Sequence, residues 1–324
     1  MPTLKKKFSF NTQTVIFLVA VVMWILLSFG NKNFLTGNNI QNIMRQMAIQ
    51  GVLGIAEVIV ILTAGIDLSV GSLVAFVNIM MSQMLTGELA GMAIPILPIP
   101  IIIAICLLLS ALVGLINGML VFNFRLPPFI ATLGMMTILR GVLLLMSGGS
   151  NVFGLPRSVA NFSSTNFLGL PLLFWVLILV VLGIELVLRR TSFGRYVYAL
   201  GSNPEAARLS GVNTRLVTYG VFTLASFLVG IAGIMETSRL WMGVPSTGTG
   251  YELDAIAAAV LGGTSLMGAE GTPAGAFIGA LIMTTIYNGA VLLRVNPFWT
   301  RIIVGVILVV TVAVDQLRKR RSGQ

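Results

Sequence analysis

Histidine is absent from this 324-residue chain, and cysteine occurs once, as Cys106 within an apolar run. The first absence removes the commonest metal ligand and the side chain that titrates near neutral pH. The second rules out an internal disulfide and a thiolate cluster for a metal. Charge is scarce too: Asp, Glu, Lys and Arg make up 9% of the residues, with 10 acids among them. A membrane-embedded enzyme would need clustered acids, bases or metal ligands, and no such cluster occurs in the sequence. Nor is there a Gly-x-x-x-x-Gly-Lys-Ser/Thr segment, so no nucleotide phosphate is cradled in the P-loop manner. Any use of ATP then falls to a partner. Low-complexity tracts and a soluble domain are missing as well, and no cofactor is expected.

What fills the chain is hydrocarbon. Hydrophobic residues make up 56% of it, more than a soluble domain can hide, so an integral membrane protein is expected. Apolar runs near the bilayer-crossing length recur from end to end, at 13–29, 47–64, 69–85, 99–122, 129–146, 171–188, 215–235, 253–267, 273–293 and 298–315. Three are short, so the count stands at eight to ten. The runs are too continuous for a membrane β-barrel, whose strands alternate. The expected fold is therefore all-α and polytopic, a single domain over 1–324 with about ten transmembrane helices. The 35 glycines sit largely inside the apolar blocks, as close helix packing in lipid favours. The basic stub before the first run also fits a cleavable signal peptide, but its long apolar core and the runs that follow favour an uncleaved helix.

The net charge of +10 is a topology signal rather than a nucleic-acid footprint, because the basic residues cluster at the ends of the runs. With ten spans and a cytoplasmic start, Lys5, Lys6, Lys7, Arg125, Arg189, Arg190, Arg195, Arg208, Arg215, Arg318, Lys319, Arg320 and Arg321 fall inside. Lys32, Arg45, Arg140, Arg157, Arg239, Arg294 and Arg301 fall outside or in the membrane. The positive-inside rule then places both termini in the cytoplasm, with a stub at 1–12, a loop at 189–214 and a tail at 316–324. The longest external loop, 147–170, suits contact with an outside protein or is a plain connector.

One polar interruption carries its own helix grammar: Gly201-Ser202-Asn203-Pro204-Glu205-Ala206-Ala207-Arg208-Leu209-Ser210-Gly211. Asn203 is a good N-cap, and Pro204 falls at the first helical position, where its missing N–H costs nothing. Glu205 and Arg208 complement the helix dipole, and Gly211 fits a left-handed stop. The spacing predicts a helix of about two turns over 203–210, too short to stand alone. It is either a plug for a soluble partner or a well-capped connector.

Two stretches echo each other inside the membrane. Gly65-Ile66-Asp67-Leu68-Ser69 leads into the third run and Gly250-Tyr251-Glu252-Leu253-Asp254 into the eighth. Asn117-Gly118 with Pro127-Pro128-Phe129 is matched by Asn288-Gly289 with Pro297-Phe298. Third with eighth and fourth with ninth implies a five-plus-five repeat, and an odd unit must be inverted across the bilayer. Such a repeat suits a passage that opens alternately to each side. Asp67, Ser69, Asn78, Asn117, Glu252, Asp254 and Asn288 are the pathway candidates, being costly in lipid unless they face protein or water. For each of them the alternative is helix capping or helix-to-helix bonding.

Long segments then resemble a family. Gly65-Ile66-Asp67-Leu68-Ser69-Val70-Gly71-Ser72, Tyr198 to Gly211, Gly250 to Ala258, Thr132-Leu133-Gly134, Leu139-Arg140-Gly141 and Leu261-Gly262-Gly263-Thr264-Ser265 resemble the permease subunits of bacterial sugar ABC importers. The likeness runs over about 34–315 and is nearest to the ribose-type branch, which includes galactose, xylose and arabinose permeases. It implies a permease homodimer, or a heterodimer with a related permease, in the bacterial inner membrane. It also implies two cytoplasmic ABC ATPase subunits, an extracytoplasmic sugar-binding protein and no catalysis by the permease itself. In such permeases a short cytoplasmic helix inserts into the ATPase, and Gly201–Gly211 matches it in position and sequence. Ser202, where many relatives carry Gly, precedes the N-cap and leaves the helix undisturbed. The rival is an ion-coupled secondary transporter. Against it stand the missing histidine and the few acids inside runs, Glu57 and Glu185.

Overall fold

The computed structural model describes residues 12–322, so Lys5, Lys6 and Lys7 of the stub lie outside the described residues. Thirteen helices follow one another among the described residues. The first three are α1 (Thr12–Gly30), α2 (Gly37–Ile61) and α3 (Val70–Thr86), followed by the hairpin β1 (Glu88–Leu89) and β2 (Met92–Ala93). Next come α4 (Ile99–Asn123), α5 (Pro128–Ser147), the short α6 (Arg157–Ser164) and a second hairpin, β3 (Asn166–Phe167) with β4 (Leu170–Pro171). α7 (Leu172–Arg190) leads to two short helices, α8 (Ser192–Ser202) and α9 (Pro204–Leu209). The chain ends with α10 (Thr214–Leu240), α11 (Tyr251–Leu261), α12 (Pro273–Leu292) and α13 (Pro297–Ser322).

The bundle is built around α2. Every residue from 47 to 61 on it is buried, as a helix that is apolar all round requires. α2 packs against α7, α10, α11 and α12, while α10 packs against α2, α3 and α4. Of the most apolar stretch of each helix, 83% is buried in α2 but only 22% in α4 and α7, so these two lie at the periphery and face lipid. Gly114 and Gly118, four apart on α4, bring it against α10, where a methyl group at Gly118 would meet the Tyr219 Cα at 3.0 Å. α1 lies along α12, where Trp24 Nε1 donates to Thr285 Oγ1 at 3.0 Å.

Six helices among the described residues are long and apolar enough to cross a bilayer: α2, α4, α5, α7, α10 and α12. α1, α3 and α13 carry shorter apolar stretches. The run at 253–267 departs from expectation. Only 253–261 of it is helical, and the helix that holds these residues, Tyr251–Leu261, has 11 residues or about 16 Å, half of a hydrocarbon core. Gly263, left-handed at φ +90°, stops the helix, and the apolar chain continues without one. The predicted loops at 147–170 and 189–214 also hold helices, α6 and α8.

Both central helices are followed by a break. Residues 62–69 join α2 to α3, and residues 241–250 join α10 to α11. Trp241 takes a left-handed conformation (φ +52°) where α10 ends, and its Nε1 donates to the Leu155 carbonyl at 2.9 Å.

Candidate functional site

The first candidate element is the α8–α9 pair. Thr191 caps α8, its Oγ1 accepting from Gly194 N at 3.2 Å, and Gly194, Val197 and Leu200 form the buried face. Asn203 ends α8 and caps α9, accepting from Ala206 N at 2.9 Å. Pro204 opens the helix, Ser210 follows it and Gly211 is left-handed at φ +84°. α9 touches the bundle through Ala207; Glu205, Ala206, Arg208, Leu209 and Ser210 are exposed, Leu209 at 74%. Arg208 Nη2 meets Glu205 Oε1 at 2.6 Å. That hydrogen bond, and then the guanidinium charge, hold the Glu205 carboxyl below the ordinary range. Both groups are therefore charged near neutral pH on a helix with most of its surface free.

This pair is joined to the membrane breaks through backbone. Gly201, in the last turn of α8, lies so close to the Leu62 carbonyl that a methyl group there would collide with it. The same methyl would lie 2.8 Å from Ala269 N, which donates to that carbonyl at 2.9 Å. Tyr198 Oη donates to the Gly271 carbonyl at 2.9 Å. Segments 62–64 and 268–271 thus rest on α8, one turn before α9.

The two breaks meet inside the bundle. A methyl group at Gly71 would fall far inside contact distance of the Gly248 carbonyl oxygen and of Glu252 Oε2. One at Gly248 would do the same to the Gly71 carbonyl oxygen. Polar side chains hold each break. Asp67 Oδ1 accepts from Ser69 N at 2.8 Å and Ser69 Oγ at 2.5 Å, and Asn117 Nδ2 donates to Ser69 Oγ at 3.1 Å. Leu68 N donates to Thr132 Oγ1 at 3.1 Å. At the other break, Asn78 Nδ2 donates to Thr237 Oγ1 and the Met242 carbonyl, and Asn78 Oδ1 accepts from Val244 N at 2.7 Å. Arg140 Nη1 donates to the Pro245 and Thr247 carbonyls at 2.8 and 3.1 Å. Glu57 lies behind the first break, fully buried, with no hydrogen-bond partner for either carboxylate oxygen among the described residues.

Beyond the crossing, α2, α10, α11, α12 and α13 enclose a cavity of about 420 Å³. Asp254 and Asn288 line it. Tyr287 Oη donates to Asp254 Oδ1 at 2.8 Å, and Asn288 exchanges two amide hydrogen bonds with Asn39 at 2.8 and 3.0 Å. The pathway candidates therefore separate. Asp67, Ser69 and Asn117 form one buried cluster, Asn78 holds the opposite break, Glu252 lies at the crossing, and Asp254 and Asn288 face the cavity. The contacts of the first four lie within a break or join a helix to another segment, and none of these side chains caps a helix. The echo itself is out of register with the helices. It pairs Asp67 with Glu252, but the residue before α3 is Ser69 and the residue before α11 is Gly250. Sequence reasoning missed Gln50, Glu236, Arg239, Tyr251 and Tyr287. Glu236 and Arg239, three apart near the end of an apolar run, were the available signal.

Comparison with known proteins accords with this architecture. A family described as branched-chain amino acid transport system / permease component matches residues 39–312. The ribose import permease protein RbsC of Escherichia coli (strain K12) is 40% identical over 308 residues, covering 93% of each chain. RbsC of Bacillus subtilis (strain 168) is 38% identical over 302 residues, 93% of this chain and 91% of its own. The xylose transport system permease protein XylH of Escherichia coli (strain K12) is 33% identical, covering 97% of this chain and 94% of its own. No solved structure matches significantly. With most of its length shared with these permeases, the chain belongs to the transport-system permease family and is a membrane permease, not an enzyme.

Proposed function

We propose that this chain forms the membrane passage of an ATP-binding-cassette importer for a monosaccharide, a pentose or hexose such as ribose. The observation that carries the reading is the 40% identity to a ribose import permease over 93% of both chains. The family description names branched-chain amino acids, but ribose and xylose permeases are the relatives that share this chain nearly end to end. Two copies, or this chain with a related permease, form the pore. An ATPase subunit docks on α9, and an extracytoplasmic binding protein delivers the sugar at the opposite face. No step of ATP chemistry uses a residue of this chain.

A five-plus-five inverted repeat supports alternating access. Exchanging α2 with α10, α3 with α11, α4 with α12 and α5 with α13 maps the packing among these eight helices onto itself, while α1, packed on α12, and α7, packed on α2, stand outside the exchange. The α2–α11 contact becomes α10–α3, α2–α12 becomes α10–α4, and α3–α5 becomes α11–α13. Each half then contributes one broken segment, and their meeting at Gly71 and Gly248 forms the hinge on which the passage changes sides.

The role of α9 is tested by the Glu205→Ala, Arg208→Ala double variant. Both side chains are more than 60% exposed, and an exposed ion pair adds little to stability, so the variant is expected to fold. Sugar uptake and transport-stimulated ATP hydrolysis are expected to fall together. Normal uptake by the well-expressed variant would remove α9 from coupling.

Orientation has its own test, with both termini expected in the cytoplasm. Single cysteines at Ser150 and Ser322, in a Cys106→Ala background, are expected to react with an impermeant thiol reagent from opposite sides. Labelling of both from the periplasm would reverse the assignment.

A further inference from the structure

The cavity beyond the crossing is lined by side chains whose chemistry is selective. Its four charged lining residues are Glu236, Arg239, Asp254 and Arg301, two acids and two bases, so the enclosure carries no net charge. A charged solute gains little in such a site, while a neutral one meets strong donors and acceptors on all sides. The Glu236 carboxylate is committed: both oxygens take hydrogen bonds from Arg239 at 2.8 and 3.0 Å, and Tyr251 Oη donates to it at 3.0 Å. Asp254 is not committed in this way. It takes the Tyr287 hydroxyl on Oδ1, which leaves Oδ2 to accept from a solute hydroxyl.

Gln50 supplies an independent observation. It lines the same cavity from α2 and is only 8% exposed, yet its side-chain oxygen has no hydrogen-bond partner among the described residues. An unpaired buried amide is costly and calls for a partner. Turning the Gln50 amide brings its unpaired acceptor to a hydroxyl in the cavity. Apolar Ile49 and Val291 border these groups, as the C–H faces of a sugar ring need. The volume of about 420 Å³ lies in the range of small-molecule sites.

We propose that this cavity is a solute-holding site within each chain, built for a neutral polyhydroxylated ring of monosaccharide size. Asp254 and Gln50 accept from ring hydroxyls, and Tyr287 positions the Asp254 carboxylate. The site rests on the sugar-importer reading and adds a selective station to it. The permease then chooses its cargo as well as passing what the binding protein delivers.

The test uses the full importer in proteoliposomes, with ribose, xylose and leucine as probes. A Val291→Cys substitution in a Cys106→Ala background adds a reporter on the cavity wall, since Val291 is 74% exposed. Ribose or xylose is expected to slow its modification by a methanethiosulfonate reagent, and Gln50→Leu is expected to abolish that protection. Gln50→Leu and Asp254→Asn are each expected to lower sugar uptake about tenfold, the effect of one hydrogen bond to a buried or charged group. ATP hydrolysis stimulated by the binding protein should persist in both, which a misfolded permease would not allow. Sugar uptake without protection of Val291→Cys, or with full rates in both variants, would overturn the site and leave the importer reading standing. Leucine uptake in place of any sugar uptake would overturn both.

Discussion

Gly71→Ala and Gly248→Ala are expected to remove most of the folded, transporting protein. At Gly71 the new methyl meets the Gly248 carbonyl and the Glu252 carboxylate, and at Gly248 it meets the Gly71 carbonyl. The Glu252 carboxylate can swing aside, but the two carbonyl oxygens belong to backbone. Two backbones must part, and the hydrogen bonds that Asn78 and Arg140 make to residues 242–247 hold one of them in place. Overpacking of this kind costs about 3 kcal/mol, roughly a hundredfold in folded population. Gly248 carries a second penalty: at φ +72° it is left-handed, which costs an L-residue about 1–2 kcal/mol more. Gly134→Ala is the matched control, since Gly134 is exposed on α5 with nothing within 4 Å of the added methyl. It is expected to be neutral or slightly stabilising. The thermal midpoint in detergent and sugar uptake at equal membrane levels decide the matter, and wild-type values for Gly71→Ala would refute the close crossing.

How far the sequence foretold this geometry depended on whether a signal was local. The ends of α4, α5, α7 and α12 follow the apolar runs within a residue or two, because hydropathy reads lipid contact directly. The α9 caps are local chemistry, and Asn203, Pro204 and Gly211 take the conformations their types favour. α11 defeated the same reasoning: the apolar run passes through Gly262 and Gly263 unchanged, while the helix stops there. The start of α2 was missed for the opposite reason. Its first turns carry Asn42 and Gln46, polar residues that line the cavity and so hide the helix from a hydropathy scan. Asp254 and Asn288 stood out as polar residues among apolar ones. Tyr251 and Tyr287 did not, because a tyrosine in an apolar run looks like packing. Nothing local joins Gln50 to Asp254; only the fold brings them to one cavity.

Gly201→Ala is expected to disconnect α9 from the membrane segments. Gly201 sits in helical backbone, a conformation alanine adopts without strain, so space alone forbids the change. The added methyl would collide with the Leu62 carbonyl and displace Ala269, breaking the bond between the residue that ends α2 and the segment joining α11 to α12. Gly268 lies at the same point, where its own methyl would be 2.9 Å from the Gly201 carbonyl oxygen and 3.1 Å from Ala64 N. Three stretches of backbone therefore share one joint: the end of α8, the start of the first break and the linker into α12. A push on α9 reaches α8 through the one residue between them, Asn203, and reaches both halves of the bundle through this joint. The break at 62–69 then carries the movement to Gly71 and the crossing. If the joint transmits the work of the ATPase, uptake in Gly201→Ala falls by about tenfold or more while ATP hydrolysis persists, since overpacking here costs about 1–3 kcal/mol. Gly211→Ala separates this effect from damage to the helices themselves. Its methyl meets nothing within 4 Å, and its penalty comes only from the left-handed φ of +84°. It should lower stability modestly and leave the ratio of sugar moved to ATP hydrolysed unchanged. An unchanged ratio in folded Gly201→Ala would show that the three backbones pack together without passing movement between them.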